Sequence, residues 1–246
     1  MTEINALTTI IFDLDDTLCR YRTSLEEGLL ETFSVNRPDE LPLTPDEYRE
    51  GFGVEFDKAI DGEVDRPETE FRTRIFLNIL KDKNYDEEKI YDLGRRFAGI
   101  REDSLALYDD VEELFKSLSG KFKLGLLTNG PSNLQRRKID VLEIDSWFDE
   151  IIVSGEHDLA KPDPRIFHIT LEKLGSDPEE SVYVGNSLEY DVLGANNAGV
   201  PVIWKKNGED RTEIEGARPG FVINELSELI YRERTSSEGE KRSIKS

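Results

Sequence analysis

The sequence has one cysteine, Cys19, and two histidines, His157 and His168. A single thiol excludes an internal disulfide and a cysteine-built zinc cage. Two imidazoles argue against a histidine-rich metal centre and are read as structural. No apolar run approaches the ~18 residues that a membrane-spanning helix needs. Met1-Thr2-Glu3-Ile4-Asn5 lacks the basic-then-apolar pattern of a secretory leader. The expected location is therefore the reducing cytoplasm, away from membranes. Positive charge is also scarce: 32 Lys and Arg stand against 53 Asp and Glu, a net charge of −21. Such a field repels phosphate backbones and anionic lipid, so neither nucleic acid nor a membrane surface is an expected partner. Two readings of the acidity stay open. It is a solvated surface that keeps the chain soluble, or an adaptation to a high-salt cytoplasm.

Core material is present all the same. The chain has 246 residues, including 12 Phe and 8 Tyr, enough for one or two domains without covalent staples. Leu7-Thr8-Thr9-Ile10-Ile11-Phe12 is short, apolar and β-branched, which predicts a buried strand. From Arg20 to Ser104 no buried strand is expected; Phe71 to Leu80 has apolar residues at helical spacing, and Pro38, Pro42, Pro45 and Pro67 divide the stretch into separate helices. Thr44, Pro45 and Glu47 carry the spacing of a capping box with proline at the first helical position. After Ser104, strands at 122–127, 150–153, 181–184 and 200–204 alternate with helices at 109–118, 132–141, 164–174 and 188–198. That alternation predicts an α/β fold: a Rossmann-like parallel sheet with helices on both faces. Residues 1–19 and 105–232 would form this core, residues 20–104 an inserted all-helical domain, and residues 233–246 a disordered tail.

The residues with chemical potential fall where strands end, the edge at which open parallel sheets bind ligands. Asp13 and Asp15 follow the first strand, Thr128 and Asn129 the second, Lys161 the third, and Asn186, Ser187 and Asp191 the fourth. Two carboxylates two residues apart can approach one small volume, where a Mg²⁺ would relieve their repulsion. One can attack phosphorus and the other can move the proton of the leaving oxygen and then of water. Thr128 offers a hydroxyl, the loop after it backbone N–H groups, and Lys161 a compact positive charge.

Taken together, Asp13-Leu14-Asp15-Asp16-Thr17, Leu126-Leu127-Thr128-Asn129-Gly130, Ala160-Lys161-Pro162-Asp163-Pro164 and Val184-Gly185-Asn186-Ser187 through Asp191 resemble, in order and spacing, the motifs of the haloacid dehalogenase-like hydrolases, mainly phosphatases. The insertion resembles that superfamily's helical C1-type cap. The resemblance implies Asp13 as nucleophile and Mg²⁺ ligand. It implies Asp15 as general acid/base with its backbone carbonyl on the metal, Thr128 and Asn129 on the phosphoryl group, Lys161 neutralising it, and Asp191 near the metal. The substrate would be a small phosphorylated metabolite. Asn186 departs from the pattern, because the superfamily usually has an acid there that binds the metal. An amide oxygen still ligates Mg²⁺ but carries no charge, so weaker metal binding is expected.

Other readings stay open beside this one. A metal-independent 2-haloacid dehalogenase is the first, although such enzymes lack the second aspartate that Asp15 supplies here. A non-catalytic member of the fold is the second. Monomer and homodimer are both open. Cys19 is read as inert, and Arg136-Arg137-Lys138 as a solvated helix end. In the insertion, Arg20, Tyr21, Arg22, Arg72 and Arg74 are the candidates for meeting a substrate anion, against a plain surface or packing role.

Overall fold

A computed structural model describes residues 7–60, 68–208 and 213–230; Pro67 and the tail expected from Glu233 lie outside the described residues. The chain opens with β1 (Thr9–Phe12) and β2 (Cys19–Tyr21), followed by helices α1 (Leu25–Phe33), α2 (Pro45–Ile60), α3 (Glu68–Leu80) and α4 (Glu87–Ser104). It continues through β3 (Leu105–Leu107), α5 (Val111–Leu118), β4 (Lys123–Thr128), α6 (Ser132–Leu142), β5 (Glu150–Val153), α7 (Pro164–Leu174) and β6 (Ser181–Gly185). A π-helical turn, Leu188–Leu193, runs into α8 (Gly194–Asn197), and β7 (Val202–Lys205) and β8 (Phe221–Ile223) complete it.

Six strands form one parallel sheet in the order β5-β4-β1-β6-β7-β8. β1 lies inside the sheet between β4 and β6, and all four of its residues are buried. Because strand side chains alternate, Ile10 and Phe12 face one layer with Val111, Leu114 and Phe115 of α5. Ile11 faces the other, with Phe167 and Leu171 of α7 and Tyr183 of β6. The chain moves outward from β1 through β4 to β5 and then returns to the opposite side of β1 with β6. That reversal beside β1 opens a crevice at the carboxyl ends of the strands.

Three strands, β2, β3 and β8, depart from the sequence expectation. β2 and β3 form a short antiparallel ribbon at the two roots of the helical insertion, with Arg20 opposite Ala106. Three residues at the boundary of a helical stretch carry too little alternation to show in sequence. β8 is equally short. The segment 188–198, expected as one helix, starts instead as the π-helical turn, a widened geometry often found at functional sites.

Helices α1–α4 share their own apolar cluster, built on Leu29, Tyr48, Ile75, Phe76 and Phe97. The Tyr48 and Phe97 rings meet edge to face at 5.0 Å. Ser24 caps α1 with a reciprocal Glu27 bond, and Thr44 does the same for α2 with Glu47, as its spacing predicts. Leu134 of α6 packs into this cluster and ties the insertion to the sheet domain.

The crossing of α3 and α4 rests on Gly94, where a Cβ would stand 2.8 Å from the Thr73 Cα. Alanine favours an isolated helix by roughly 1 kcal/mol over glycine, but a clash with backbone costs about 1–3 kcal/mol or more. Gly94→Ala is therefore expected to lower stability by about 1–2 kcal/mol in urea unfolding; a stabilised variant would show that the two helices cross more loosely.

Candidate active site

Asp13 is the first residue after β1, and its N–H is held by the Val184 carbonyl of β6. Both of its carboxylate oxygens are engaged. Oδ1 takes the Lys161 Nζ at 2.7 Å and Oδ2 takes the Thr17 hydroxyl at 3.0 Å. Lys161 also donates to Asp191 Oδ1 at 2.7 Å and meets the Tyr183 hydroxyl at 2.8 Å. Asp13, Lys161 and Asp191 are all at least 95% buried. Asp191 comes from the π-helical turn, and its Oδ2 accepts the Ser187 N–H at 2.8 Å. It can fold back onto β6 because position 185 is glycine; a Cβ there would stand 2.6 Å from Asp191 Oδ2.

The loop bearing Lys161 is fixed from β4's end. Asn129 accepts the Lys161 backbone N–H at 2.9 Å and donates its amide to the Lys161 carbonyl at 2.8 Å. The Asn129 side chain thus places the lysine, and its backbone is the part left to face a ligand. Thr128 Oγ1 accepts from Gln135 Nε2 at 2.6 Å, which leaves the hydroxyl proton available to donate.

Asp15 is half-buried and belongs to a second ion pair. Lys138 Nζ reaches both of its oxygens, at 2.7 and 2.8 Å, and Gln135 Nε2 adds a bond at 2.9 Å. The lysine stands in the run read as solvated, and the structure corrects that reading for this residue. Arg136 and Arg137 do turn outward to Glu156 and Glu102. Lys138 lies three residues after Gln135 and four after buried Leu134, on the inward stripe of α6. That i, i+3, i+4 spacing was the available sequence signal. Tyr183, buried in mid-strand, left no comparable signal.

The two aspartates are pushed in opposite directions. Burial raises Asp13 to about 7, against the opposing pull of Lys161 and with the help of Asp191's charge. Burial would raise Asp15 as well, but the Lys138 charge and hydrogen bonds override it and hold Asp15 below the usual carboxylate range. Lys161 and Lys138 are both raised by their carboxylate neighbours in spite of burial, so both stay charged.

The donor set for a cation consists of oxygens. Asn186 Oδ1 lies 3.2 Å from the same Thr17 hydroxyl that meets Asp13 Oδ2, so two acceptors share one proton. Trp204 Nε1 fixes the Asn186 carbonyl at 2.8 Å. Asp13 Oδ2, Asn186 Oδ1 and the adjacent backbone fit a hard, oxygen-seeking ion such as Mg²⁺. Charge is sparse, however: among the described residues no three His, Cys, Asp or Glu side chains form a ready metal cluster, and both Asp191 oxygens are occupied by Lys161, Tyr183 and Ser187. Cys19 is buried beneath this edge, its thiol raised well above its ordinary range first by burial and then by Asp15. His168 lies away from it, with Nε2 3.0 Å from the Ala198 carbonyl. Above Asp15 a cavity of about 350 Å³ extends from Asn129 to Tyr48 and Arg72 of the insertion.

The chain is similar in sequence and fold to known proteins. A family model described as haloacid dehalogenase-like hydrolase covers residues 7–199. The chain is 34% identical over 164 residues to a phosphoserine phosphatase of Thermus thermophilus, covering 66% of this chain and 65% of that protein. It is 28% identical over 240 residues to the N-acylneuraminate-9-phosphatase of Mus musculus, covering 92% and 93% of the two chains. Among solved structures, the L-2-haloacid dehalogenase of Xanthobacter autotrophicus superimposes with a TM-score of 0.68 over 93% of this chain and 99% of that one; at 19% identity this shows a common fold.

Lys161 bridges Asp13 and Asp191, and its removal leaves two buried carboxylates facing each other. Lys161→Met is expected to cost about 3–5 kcal/mol of stability at pH 7. The loss should shrink toward pH 5. Burial and Asp191 raise Asp13 while Lys161 pulls it down; without Lys161 it rises further, so protonation as pH falls relieves the variant more than the wild type. Urea unfolding at the two pH values checks this, and an equal loss at both would contradict it.

Proposed function

The chain belongs to the haloacid dehalogenase-like hydrolase family, and from that membership we propose that it is a magnesium-dependent phosphatase, hydrolysing small phosphomonoesters through an aspartyl-phosphate on Asp13. The observation that carries the proposal is the buried Asp13–Lys161–Asp191 cluster with Asp15 and Thr128 beside it at one sheet edge. The phosphoserine phosphatase and N-acylneuraminate-9-phosphatase relatives support the phosphate-ester class.

In this reading an Asp13 oxygen attacks phosphorus, the ester P–O bond breaks, and the departing oxygen takes a proton from Asp15. Water then attacks the acyl-phosphate, Asp15 takes its proton, and inorganic phosphate leaves with Asp13 restored. Thr128's proton and the N–H groups at Asn129 hold phosphoryl oxygens, and Lys161 balances the charge that builds beside Asp13. Asp13, Asn186 and the Asp15 carbonyl would hold Mg²⁺, with Asp191 as an outer carboxylate. The ion would supply charge neutralisation for the phosphoryl oxygens. Lys138 keeps Asp15 ionised, which suits the water step. The acid step works against it, so esters with good leaving groups should react fastest. Residues 20–104 act as a cap over the core of residues 1–19 and 105–232, excluding water from the acyl-phosphate. A cytoplasmic location accompanies this function. Metal-independent dehalogenation is the rival, and halide release without Mg²⁺ would mark it.

Asp13→Asn is expected to lower p-nitrophenyl phosphate turnover by about 10³-fold or more while the circular dichroism spectrum is kept. Wild-type rates in that variant would remove the mechanism. Asn186→Asp adds a charge to the oxygen set and is expected to tighten Mg²⁺ binding in calorimetry; an unchanged affinity would show that Asn186 does not touch the ion.

A further inference from the structure

Gln135 touches both Asp15 and Thr128, and the reaction outlined above gives it no part. Its Nε2 lies 2.9 Å from Asp15 Oδ2 and 2.6 Å from Thr128 Oγ1. It stands near the start of α6, where its backbone N–H meets the Pro131 carbonyl at 3.1 Å, and it is 2% exposed. Its stem lies close across the loop after β4 because position 130 is glycine. A Cβ there would stand 3.0 Å from Gln135 Cγ and 3.1 Å from its Cδ. The loop itself is pinned to the segment that follows β5. Ser154 Oγ accepts the Gly130 N–H at 2.9 Å, and the Gly155 N–H donates to the Gly130 carbonyl at 3.0 Å. Gln135 therefore rests on a fixed base. It also lines the cavity above Asp15. Of the insertion's sequence candidates for an anion, Tyr21 and Arg72 share that lining, whereas Arg20, Arg22 and Arg74 do not.

The neighbours of this amide dictate its orientation. Lys138 Nζ reaches both Asp15 oxygens, so the carboxylate faces Gln135 as an acceptor and the NH₂ end turns to it. An amide nitrogen has two protons, and the second falls on Thr128. Thr128 Oγ1 is thereby an acceptor toward Gln135, and its own proton points elsewhere. Among the described residues Thr128 Oγ1 has no other hydrogen-bond partner, and Thr128 is 1% exposed. A buried hydroxyl proton without an acceptor is costly, and an anionic oxygen brought beside it offsets that cost. One nitrogen thus has two effects: it turns the Thr128 proton away from itself, and it fixes Asp15 Oδ2 relative to Thr128. We propose that Gln135 is a positioning residue for the hydrolysis, aiming the Thr128 proton at a phosphoryl oxygen and holding Asp15 beside the leaving oxygen. It touches no reacting atom and acts through these two side chains. The proposal rests on the phosphatase reading and adds a residue to it.

Two substitutions separate positioning from space filling. Gln135→Met keeps the length and the apolar stem and removes both N–H groups. Gln135→Glu keeps the shape and puts an acceptor where the donor was, so the Thr128 proton turns back to it. With p-nitrophenyl phosphate and Mg²⁺, Gln135→Met is expected to lose about 10²-fold in rate, the effect of a misplaced reacting group, and Gln135→Glu more. The loss should fall mainly on kcat, because both positioned groups answer charge that develops as the ester bond breaks. A Gln135→Met rate near that of the wild type, or a loss confined to KM, would overturn the proposal. Gln135→Leu takes the place of Gln135→Met if that variant does not fold. Thr128→Val completes a cycle. The double variant is expected to lose less than the product of the two single losses, and a loss equal to that product would overturn the coupling. Failure of the wild type to hydrolyse any ester, p-nitrophenyl phosphate included, would instead refute the phosphatase reading. The cycle is then read from the Kd of inorganic phosphate by calorimetry. Coupled losses there support the positioning of Thr128, and additive losses, or no binding at all, overturn it.

Discussion

One ammonium group between two buried carboxylates organises the site. Lys161 reaches Asp13 from β1, Asp191 from the turn after β6 and the Tyr183 hydroxyl within β6. A lone buried charge of either sign would be costly, and the three together are tolerable only because each oxygen and N–H has a place to go. The rest of the edge serves this cluster. Asn129 fixes the Lys161 backbone, Ser187 fixes Asp191, and glycine at 185 lets the turn close. A parallel sheet delivers these pieces to one edge because all its strands end on the same side.

A second ion pair sits one step out. Lys138 and Asp15 face each other beside the cluster, and Gln135 joins Asp15 to Thr128. The two aspartates of the first loop thus have opposite environments. Asp13 lies in a dry pocket that raises it, and Asp15 lies against a cation that lowers it. Pairs of carboxylates separated in this way are suited to different chemical roles. The same α6 stripe that carries Lys138 carries Leu134, which packs into the helical insertion. The element that sets Asp15's charge is therefore also the one that anchors the insertion over it.

Much of this was legible in the sequence. Continuous apolar runs such as Ile10–Phe12 mark strands enclosed on both faces, and the alternation after Ser104 marks the crossovers. Asp13, Lys161 and Asp191 were legible because each falls in the segment that follows a strand, and the structure brings them within hydrogen-bonding distance. What stayed hidden depends on direction. Asn129 reads as a ligand-facing residue, yet its side chain is spent on the Lys161 backbone. Lys138 reads as one of three basic residues in a row, and only the rotation of α6 separates it from Arg136 and Arg137. The β2–β3 ribbon pairs residues far apart in sequence over three positions, too few for any periodicity.

In the proposed mechanism Asp13 is transiently phosphorylated, as an acyl-phosphate. Mass spectrometry of the acid-quenched Asp15→Asn protein, after mixing with p-nitrophenyl phosphate and Mg²⁺, tests it most directly. A phosphate on the peptide that holds Asp13 is the expected result, and turnover with no phosphopeptide, or with phosphate on another residue, would contradict the account.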